Sequence, residues 1–131
     1  MRRRIAPGVA TRAALVLLSA LALGCNGPVF LFPGGALDGT PAAVPASWSA
    51  AGAYGTGQLE TRPGDPYSVN IAYTVLDDRL YINAGDTETQ WAKNIAADAD
   101  VRFRIDGALY DLRARRVTDD DEVAAFAVAW T

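Results

Sequence analysis

The sequence has no histidine and only one cysteine, Cys25, among its 131 residues. Without histidine there is no Ser-His-Asp triad, no Cys-His pair and no imidazole ligand for a metal ion. One cysteine also excludes an internal disulfide framework and a thiolate zinc cluster. Basic residues are fewer than acidic ones, 12 against 15, which argues against a nucleic-acid partner. These absences restrict any catalysis to chemistry borrowed from a cofactor.

Long hydrophobic runs are also missing. The longest uncharged apolar stretch, residues 13–24, would span about 18 Å as a helix, well short of the roughly 30 Å of a bilayer core. It follows the basic segment Arg2-Arg3-Arg4 and ends at Cys25, an order that is typical of a secretory signal peptide. Ala22-Leu23-Gly24-Cys25 resembles the lipobox of bacterial lipoproteins. An ordinary signal peptide with a chance cysteine near its cleavage site is the alternative.

The lipobox resemblance implies a location and a partner. Residues 1–24 would be removed as a lipoprotein signal peptide, and Cys25 would be lipidated, with palmitate among its acyl chains. Asn26 stands where an Asp would resemble an inner-membrane retention signal, so we expect an outer-membrane anchor with the domain facing the periplasm. Losing Arg2, Arg3, Arg4 and Arg12 changes the net charge from −3 to −7. Such an acidic chain is repelled by anionic lipid, so the acyl chains would do the anchoring.

Residues 25–56 are predicted to form the lipidated cysteine and a tether. This stretch is rich in proline and glycine and poor in branched apolar residues, which predicts an irregular lead-in without strands or helices. Phe30-Leu31-Phe32 and Trp48 are the exceptions. We expect these aromatic and aliphatic side chains to pack against the surface of the domain that follows.

Residues 57–131 are predicted to form the folded domain. Period-two alternation marks strands at 58–62, 67–76, 79–83, 101–105 and 109–117, and tight turns are expected at Asp77-Asp78 and Asp106-Gly107. The second turn places Phe103 opposite Tyr110 and Arg102 opposite Asp111, and a loop moved by one residue would leave Arg104 facing Asp111 instead. Either register gives an apolar inner face and a charged outer one. A helix is predicted over 88–98, capped by Thr87 or Thr89.

A last helix is predicted from the carboxylates of residues 119–122 onward. Carboxylates at that position complement the helix dipole, and their spacing differs from that of a calcium-binding loop, so no metal is expected. Val123, Phe126, Ala127 and Trp130 would form its apolar face. Because this pattern runs to the end of the sequence, a final strand is expected to be missing or to follow beyond Thr131.

Three segments carry a family resemblance. They are Leu59-Glu60-Thr61 through Pro66, Leu80 through Gly85, and Trp91 through Ile105, in the order strand, strand, strand, helix, strand, strand, helix. This order resembles the split β-barrel of pyridoxamine 5'-phosphate oxidase-like flavoproteins and deazaflavin-dependent nitroreductases. The resemblance implies an α+β fold, mainly β with short helices: a split antiparallel β-barrel, either complete or lacking its last strand.

The same resemblance implies a homodimer that binds FMN or a deazaflavin in a groove between subunits. Five residues are the candidates for cofactor binding: Arg62, Asn70, Trp91, Lys93 and Asn94. Packing and capping are the alternative roles for Trp91 and Asn94. No catalytic residue is identified, because the cofactor would carry the hydride chemistry.

Two functions stay open at this point. One is an FMN- or deazaflavin-dependent oxidoreductase. The other is a non-catalytic lipoprotein that uses the barrel as a binding or structural module, which the carboxylates of Asp86 and Glu88 favour because they would repel a phosphate. Basic residues concentrate in the second half of the domain and form either an anion site or a solvated sheet face: Arg102, Arg104, Arg113, Arg115 and Arg116.

Overall fold

A computed structural model describes residues 26–85 and 88–130. The signal segment 1–24, the lipidation candidate Cys25 and the carboxylate of Asp86 lie outside the described residues. Within them the fold is mainly β, with six strands, two short α-helices and one 3₁₀ turn, Ser49–Ala51. The elements are β1 Thr40–Ala42, β2 Tyr54–Thr61, β3 Tyr67–Leu76, β4 Arg79–Ile82, α1 Gln90–Ala97, β5 Asp100–Ile105, β6 Ala108–Arg113 and α2 Asp120–Trp130.

The six strands form one sheet that curls into a half-barrel, in the order β1-β6-β5-β2-β3-β4. All neighbours are antiparallel except β1, which runs parallel to β6. β2 and β3 are the longest pair, and their register joins Tyr54 to Thr74 at one end and Thr61 to Tyr67 at the other. The predicted mainly β fold with short helices is therefore confirmed.

Two tight hairpins set the strand register. Asp77 and Asp78 have φ values of 49° and 64°, and Asp106 and Gly107 have values of 49° and 81°. Consecutive positive φ values are typical of the turns whose twist matches that of the flanking strands, and Asp and Gly tolerate them. The second turn pairs Phe103 with Tyr110, as predicted.

The core lies on the concave face of the half-barrel. Its centre consists of one side chain from β2, one from β3 and three alternating side chains from β5, and the rings of Tyr73 and Phe103 meet edge to face at 6.1 Å. The burial alternation in β5 confirms the predicted apolar inner face. The buried members are Leu59, Tyr73, Val101, Phe103 and Ile105, and Trp91 and Ile95 from α1 pack against them.

The segment 26–56 is more ordered than its composition predicts. It contains β1, and Leu37 is only 3% exposed. The backbone of Gly34 exchanges hydrogen bonds of 2.8 and 2.9 Å with Ser68. The prediction that this stretch has no regular element is wrong. Its side chains have little preference for a strand, but hydrogen bonds between its backbone and the sheet give it regular structure.

The aromatic residues of this segment behave in two ways. The ring of Trp48 meets Tyr110 edge to face at 4.9 Å and packs against the core, so its predicted packing is confirmed. The same prediction for Phe30-Leu31-Phe32 is wrong, because all three side chains project into solvent. A tight turn directs them away from the sheet.

The two helices also depart from expectation in part. The Asp119 carboxylate accepts the backbone N–H of Glu122 at 3.0 Å, which confirms that these carboxylates cap α2. α2 buries no residue fully, and of its predicted apolar face only Phe126 is half-buried. Thr89 occupies the N-cap position of α1, as predicted, but its side chain makes no capping hydrogen bond there. The other predicted cap, Thr87, lies outside the described residues. Between residues 26 and 130, positions 86 and 87 aside, no helix has the length and hydropathy to cross a bilayer.

Candidate functional site

The open side of the half-barrel contains a hollow of ≈ 720 Å³. The core side chains of Leu59, Val101 and Phe103 form its floor. Leu80 and Leu112 line it from the facing strands β4 and β6. The hollow exists because the sheet curls without closing, which leaves a space above the buried core.

A second hollow of ≈ 640 Å³ lies beside α1 and α2. Trp91 and Ile95 of α1 line one side, and Val123 and Phe126 of α2 line another. The two hollows lie side by side, and together we call them the groove. They have five lining residues in common: Tyr81, Ile82, Ala114, Arg115 and Val117.

Cationic side chains line the groove among its apolar walls. Arg79, Arg113 and Arg115 line the first hollow, and Lys93, Arg115 and Arg116 line the second. Most of these cations already face a carboxylate: Arg113 lies 2.9 Å from Asp100, and Lys93 lies 3.5 Å from Glu88.

Arg116 differs from its neighbours. Across the part of the chain that the structure describes, it has no hydrogen bond or ion pair with a protein group. A guanidinium at an apolar groove is a strong donor set for an oxyanion, because it presents several N–H groups in one plane. Arg116 is therefore the cation that is most available to a ligand.

A hydrogen-bonded cluster stands where the two hollows join. The Tyr81 hydroxyl donates to Glu122 Oε1 at 2.7 Å, and Arg115 Nη2 donates to the same oxygen at 3.1 Å. Arg79 Nη1 lies 3.6 Å from it. This cluster and the ring contact between Tyr81 and Phe126, 5.7 Å between centroids, attach α2 to β4.

The cluster moves the pKa values of both its acidic groups further from neutral pH. The hydrogen bond from Tyr81 lowers the pKa of the Glu122 carboxyl, and Arg115 lowers it further. Burial raises the pKa of the Tyr81 hydroxyl, and the hydrogen bond to Glu122 adds to that. At neutral pH Glu122 is thus ionised and Tyr81 protonated, which suits a fixed structural contact better than proton transfer.

Two of the five predicted cofactor residues line the groove. Trp91 and Lys93 are both there, on α1. Asn94, from the same helix, is buried beside them and donates to Thr61 Oγ1 at 2.9 Å. Its amide oxygen accepts a bond from Gln90 at 2.7 Å. The Asn94 amide nitrogen therefore attaches α1 to β2, while its oxygen is occupied by Gln90 within α1.

The other two predicted residues lie elsewhere. Arg62 follows β2 with φ 61°, forms a 3.3 Å ion pair with Asp65, and places its guanidinium 5.6 Å from the ring centre of Tyr67. The Asn70 side chain accepts a bond from Gln58 at 3.0 Å and donates to the carbonyl of Phe30 at 3.1 Å. Neither residue lines the groove.

Several groove residues carry no signal of their own in the sequence. Tyr81 and Arg79 read as ordinary hairpin residues, and Glu122 reads as one carboxylate of a helix start. Arg115 and Arg116 belong to the basic concentration that the sequence shows, but only the path of the chain after β6 brings them to the groove. The alternative expectation for these basic residues, a solvated sheet face, does not hold for Arg102. Its guanidinium donates to the buried carboxylate of Glu60.

Comparison with protein families, with curated proteins and with solved structures gives no match. The roles assigned to groove residues therefore rest on this chain's own geometry. Among residues 26–85 and 88–130, no group of three or more acidic or thiol side chains is placed to hold a metal ion.

Proposed function

We propose that this chain is a lipid-anchored, periplasm-facing envelope protein whose half-barrel binds a small anionic molecule with a planar or elongated apolar part. FMN or a deazaflavin is the first ligand to test, as the resemblance to the split-barrel flavoproteins implies. The observation that carries the proposal is the groove, which combines apolar walls with the cation of Arg116, a side chain that pairs with no group among the described residues.

The dimensions and chemistry of the groove support a small ligand. Sites for cofactors and drug-sized molecules enclose roughly 300–1,000 Å³, are lined mostly by apolar and aromatic groups, and carry a few polar groups that orient the ligand. The two hollows, ≈ 720 and ≈ 640 Å³, lie in that range. Trp91 offers an aromatic wall beside Lys93 and Arg116, a combination that suits a ring system with a phosphate or carboxylate.

The residues present are compatible with a flavin. Arg116 would hold its phosphate, since Lys93 already faces the Glu88 carboxylate at 3.5 Å, and Trp91 with Ile95 would contact its ring system. A bound flavin would supply hydride transfer, and the protein's part would be to bind, orient and shield it. The predicted homodimer would add a second wall to a groove that is open on one side.

A non-catalytic binding module is the second candidate. The pKa of Tyr81 is raised and that of Glu122 lowered, so neither group is tuned toward neutral pH as an acid–base catalyst would be, which favours this candidate. In this case the groove would bind an amphipathic anion without transforming it. The two candidates differ only in whether the bound molecule undergoes chemistry.

Fluorescence titration of the detergent-solubilised lipoprotein with FMN, and separately with a deazaflavin, tests the proposal. We expect saturable quenching of the flavin signal. Arg116→Gln should weaken binding roughly tenfold, because a charge-assisted bond to the phosphate is lost. Arg62→Gln is the matched control, because it removes the same charge far from the groove and should leave the affinity unchanged.

Three outcomes decide between the alternatives. Absence of binding by either flavin would refute the flavin proposal. If Arg62→Gln weakened flavin binding and Arg116→Gln did not, the binding site would lie at Arg62, as the family resemblance implies, and not in the groove. Bleaching of the bound flavin by a nicotinamide donor would distinguish an oxidoreductase from a binding module.

A further inference from the structure

We propose that the turn at residues 29–32, here called the apolar turn, inserts into the membrane interface and seats the domain directly on the bilayer. This inference rests on the proposed lipidation of Cys25. It adds a second membrane contact, made by the fold itself, to the covalent anchor.

The apolar turn exposes four consecutive large hydrophobic residues. Val29 is 54% exposed, Phe30 84%, Leu31 96% and Phe32 74%. Single exposed apolar residues are normal on soluble proteins, but a contiguous patch marks an interaction surface. Phe and Leu are the side chains that interfacial membrane segments bury at the boundary between headgroups and acyl chains.

The turn is held in a projecting conformation. Val29 N donates to Phe32 O at 3.0 Å, and Phe32 N donates to Val29 O at 2.8 Å, so the two bonds close a two-residue loop. Phe30 has φ 51°, at a loop position where glycine is usual, so the bulky ring is kept there against a backbone preference. Asn70 Nδ2 donates to the Phe30 carbonyl at 3.1 Å and ties the turn to β3.

The short distance along the chain between Cys25 and the apolar turn identifies the bilayer as the surface that the turn contacts. Asn26, the residue after Cys25, already belongs to the fold, since its carbonyl accepts a hydrogen bond of 2.7 Å from Gly35 N. Phe30 stands five positions after Cys25, at most about 18 Å of extended chain. A lipidated Cys25 therefore keeps the apolar turn within reach of the interface, whereas no covalent link brings a second copy to it.

Cysteine accessibility in the full-length lipoprotein tests this inference. Leu31→Cys and, as a control, Ala125→Cys on the exposed side of α2 are each expressed with the native signal segment. The native Cys25 does not interfere because its sulfur is alkylated in the lipidated form. In intact membranes we expect an impermeant maleimide to label Leu31→Cys more slowly than Ala125→Cys, by roughly tenfold or more, because interfacial burial excludes the reagent. Detergent should remove this protection.

A second measurement identifies what covers the turn. An environment-sensitive fluorophore on Leu31→Cys, in reconstituted phosphatidylcholine and phosphatidylglycerol vesicles, should be quenched by lipids brominated along their acyl chains. Equal labelling of the two variants in membranes, or oxidative cross-linking of two Leu31→Cys chains, would overturn the proposal. The mass of the protein reports lipidation separately: an unacylated protein would refute the anchor and this inference together, whereas an acylated protein with an accessible turn would refute this inference alone.

Discussion

The Glu60 carboxylate on β2 and the Arg102 guanidinium on β5 form a two-point ion pair. Arg102 Nε donates to Oε1 at 2.8 Å, and Nη2 donates to Oε2 at 2.6 Å. The Glu60 side chain is only 6% exposed, and Oε2 also accepts the backbone N–H of Leu37 at 2.6 Å. The hydrogen bond to Glu60 raises the pKa of Arg102. One pair thus joins two strands to the segment that precedes β1.

Glu60→Gln should lower the free energy of unfolding by about 2–3 kcal/mol, because Arg102 loses its charged partner in a mostly buried setting. Urea denaturation measures this directly. Arg113→Gln is the matched control: its ion pair with Asp100 is exposed at both ends and should be worth about 0.5 kcal/mol or less. Equal losses in the two variants would show that burial of Glu60 adds nothing.

Asn94→Ala should lower the free energy of unfolding by about 1–3 kcal/mol, because Thr61 Oγ1 loses a buried hydrogen-bond donor. Thermal or urea unfolding of this variant, of Thr61→Val and of the double variant measures the coupling between the two side chains. The flavin affinity should not change, since both ends of the Asn94 amide are occupied by protein groups. A stable Asn94→Ala protein with lost ligand affinity would instead make Asn94 a ligand contact, as the family resemblance implies.

The contact between Tyr81 and Glu122 should make the attachment of α2 depend on pH at both extremes. The pKa of Glu122 is lowered from 4.5 in the fold, so its contribution is present above pH 4.5 and is lost as the pH falls through the lowered value. The pKa of Tyr81 is raised from 10.0, so its contribution is present below pH 10 and is lost as the pH rises through the raised value.

Urea midpoints of the wild type and of Glu122→Gln, measured from acid to alkaline pH, check this dependence. The wild type should be the more stable protein at neutral pH, and the difference should shrink toward acid because protonation removes the charge that the variant already lacks. Parallel curves for the two proteins over the whole acid range would mean that the contact contributes nothing to stability.

Local patterns carry most of the strand assignment. Tyr67 to Leu76 alternates without interruption, and the structure has β3 over those same residues. Asp106-Gly107 specifies a tight turn by its own backbone preference, which then sets the pairing of Phe103 with Tyr110. These features depend on neighbours in the sequence, so the sequence is sufficient to predict them.

Long-range contacts account for the failures. β1 forms because the edge of β6 offers backbone partners to Thr40–Ala42. The sequence of this tripeptide, which contains a proline, does not predict a strand. Arg102 faces Asp111 across the hairpin as predicted, but it bonds Glu60, 42 residues away along the chain. Likewise, Arg62 and Asn70 lie outside the groove. The family resemblance predicts the order of strands and helices, and it does not determine the position of an individual side chain.

The sequence by itself determined the classes of chemistry that this protein lacks, the alternation of its strands and its two β-hairpin turns, because each of these follows from composition or from neighbouring residues. The tertiary structure decided the rest. Curling of the sheet formed the groove, and packing of α2 brought Glu122 to Tyr81. A turn closed by its own backbone hydrogen bonds left the side chains of Phe30 and Leu31 exposed on the surface of the domain. Each depends on residues that meet only after the chain has folded.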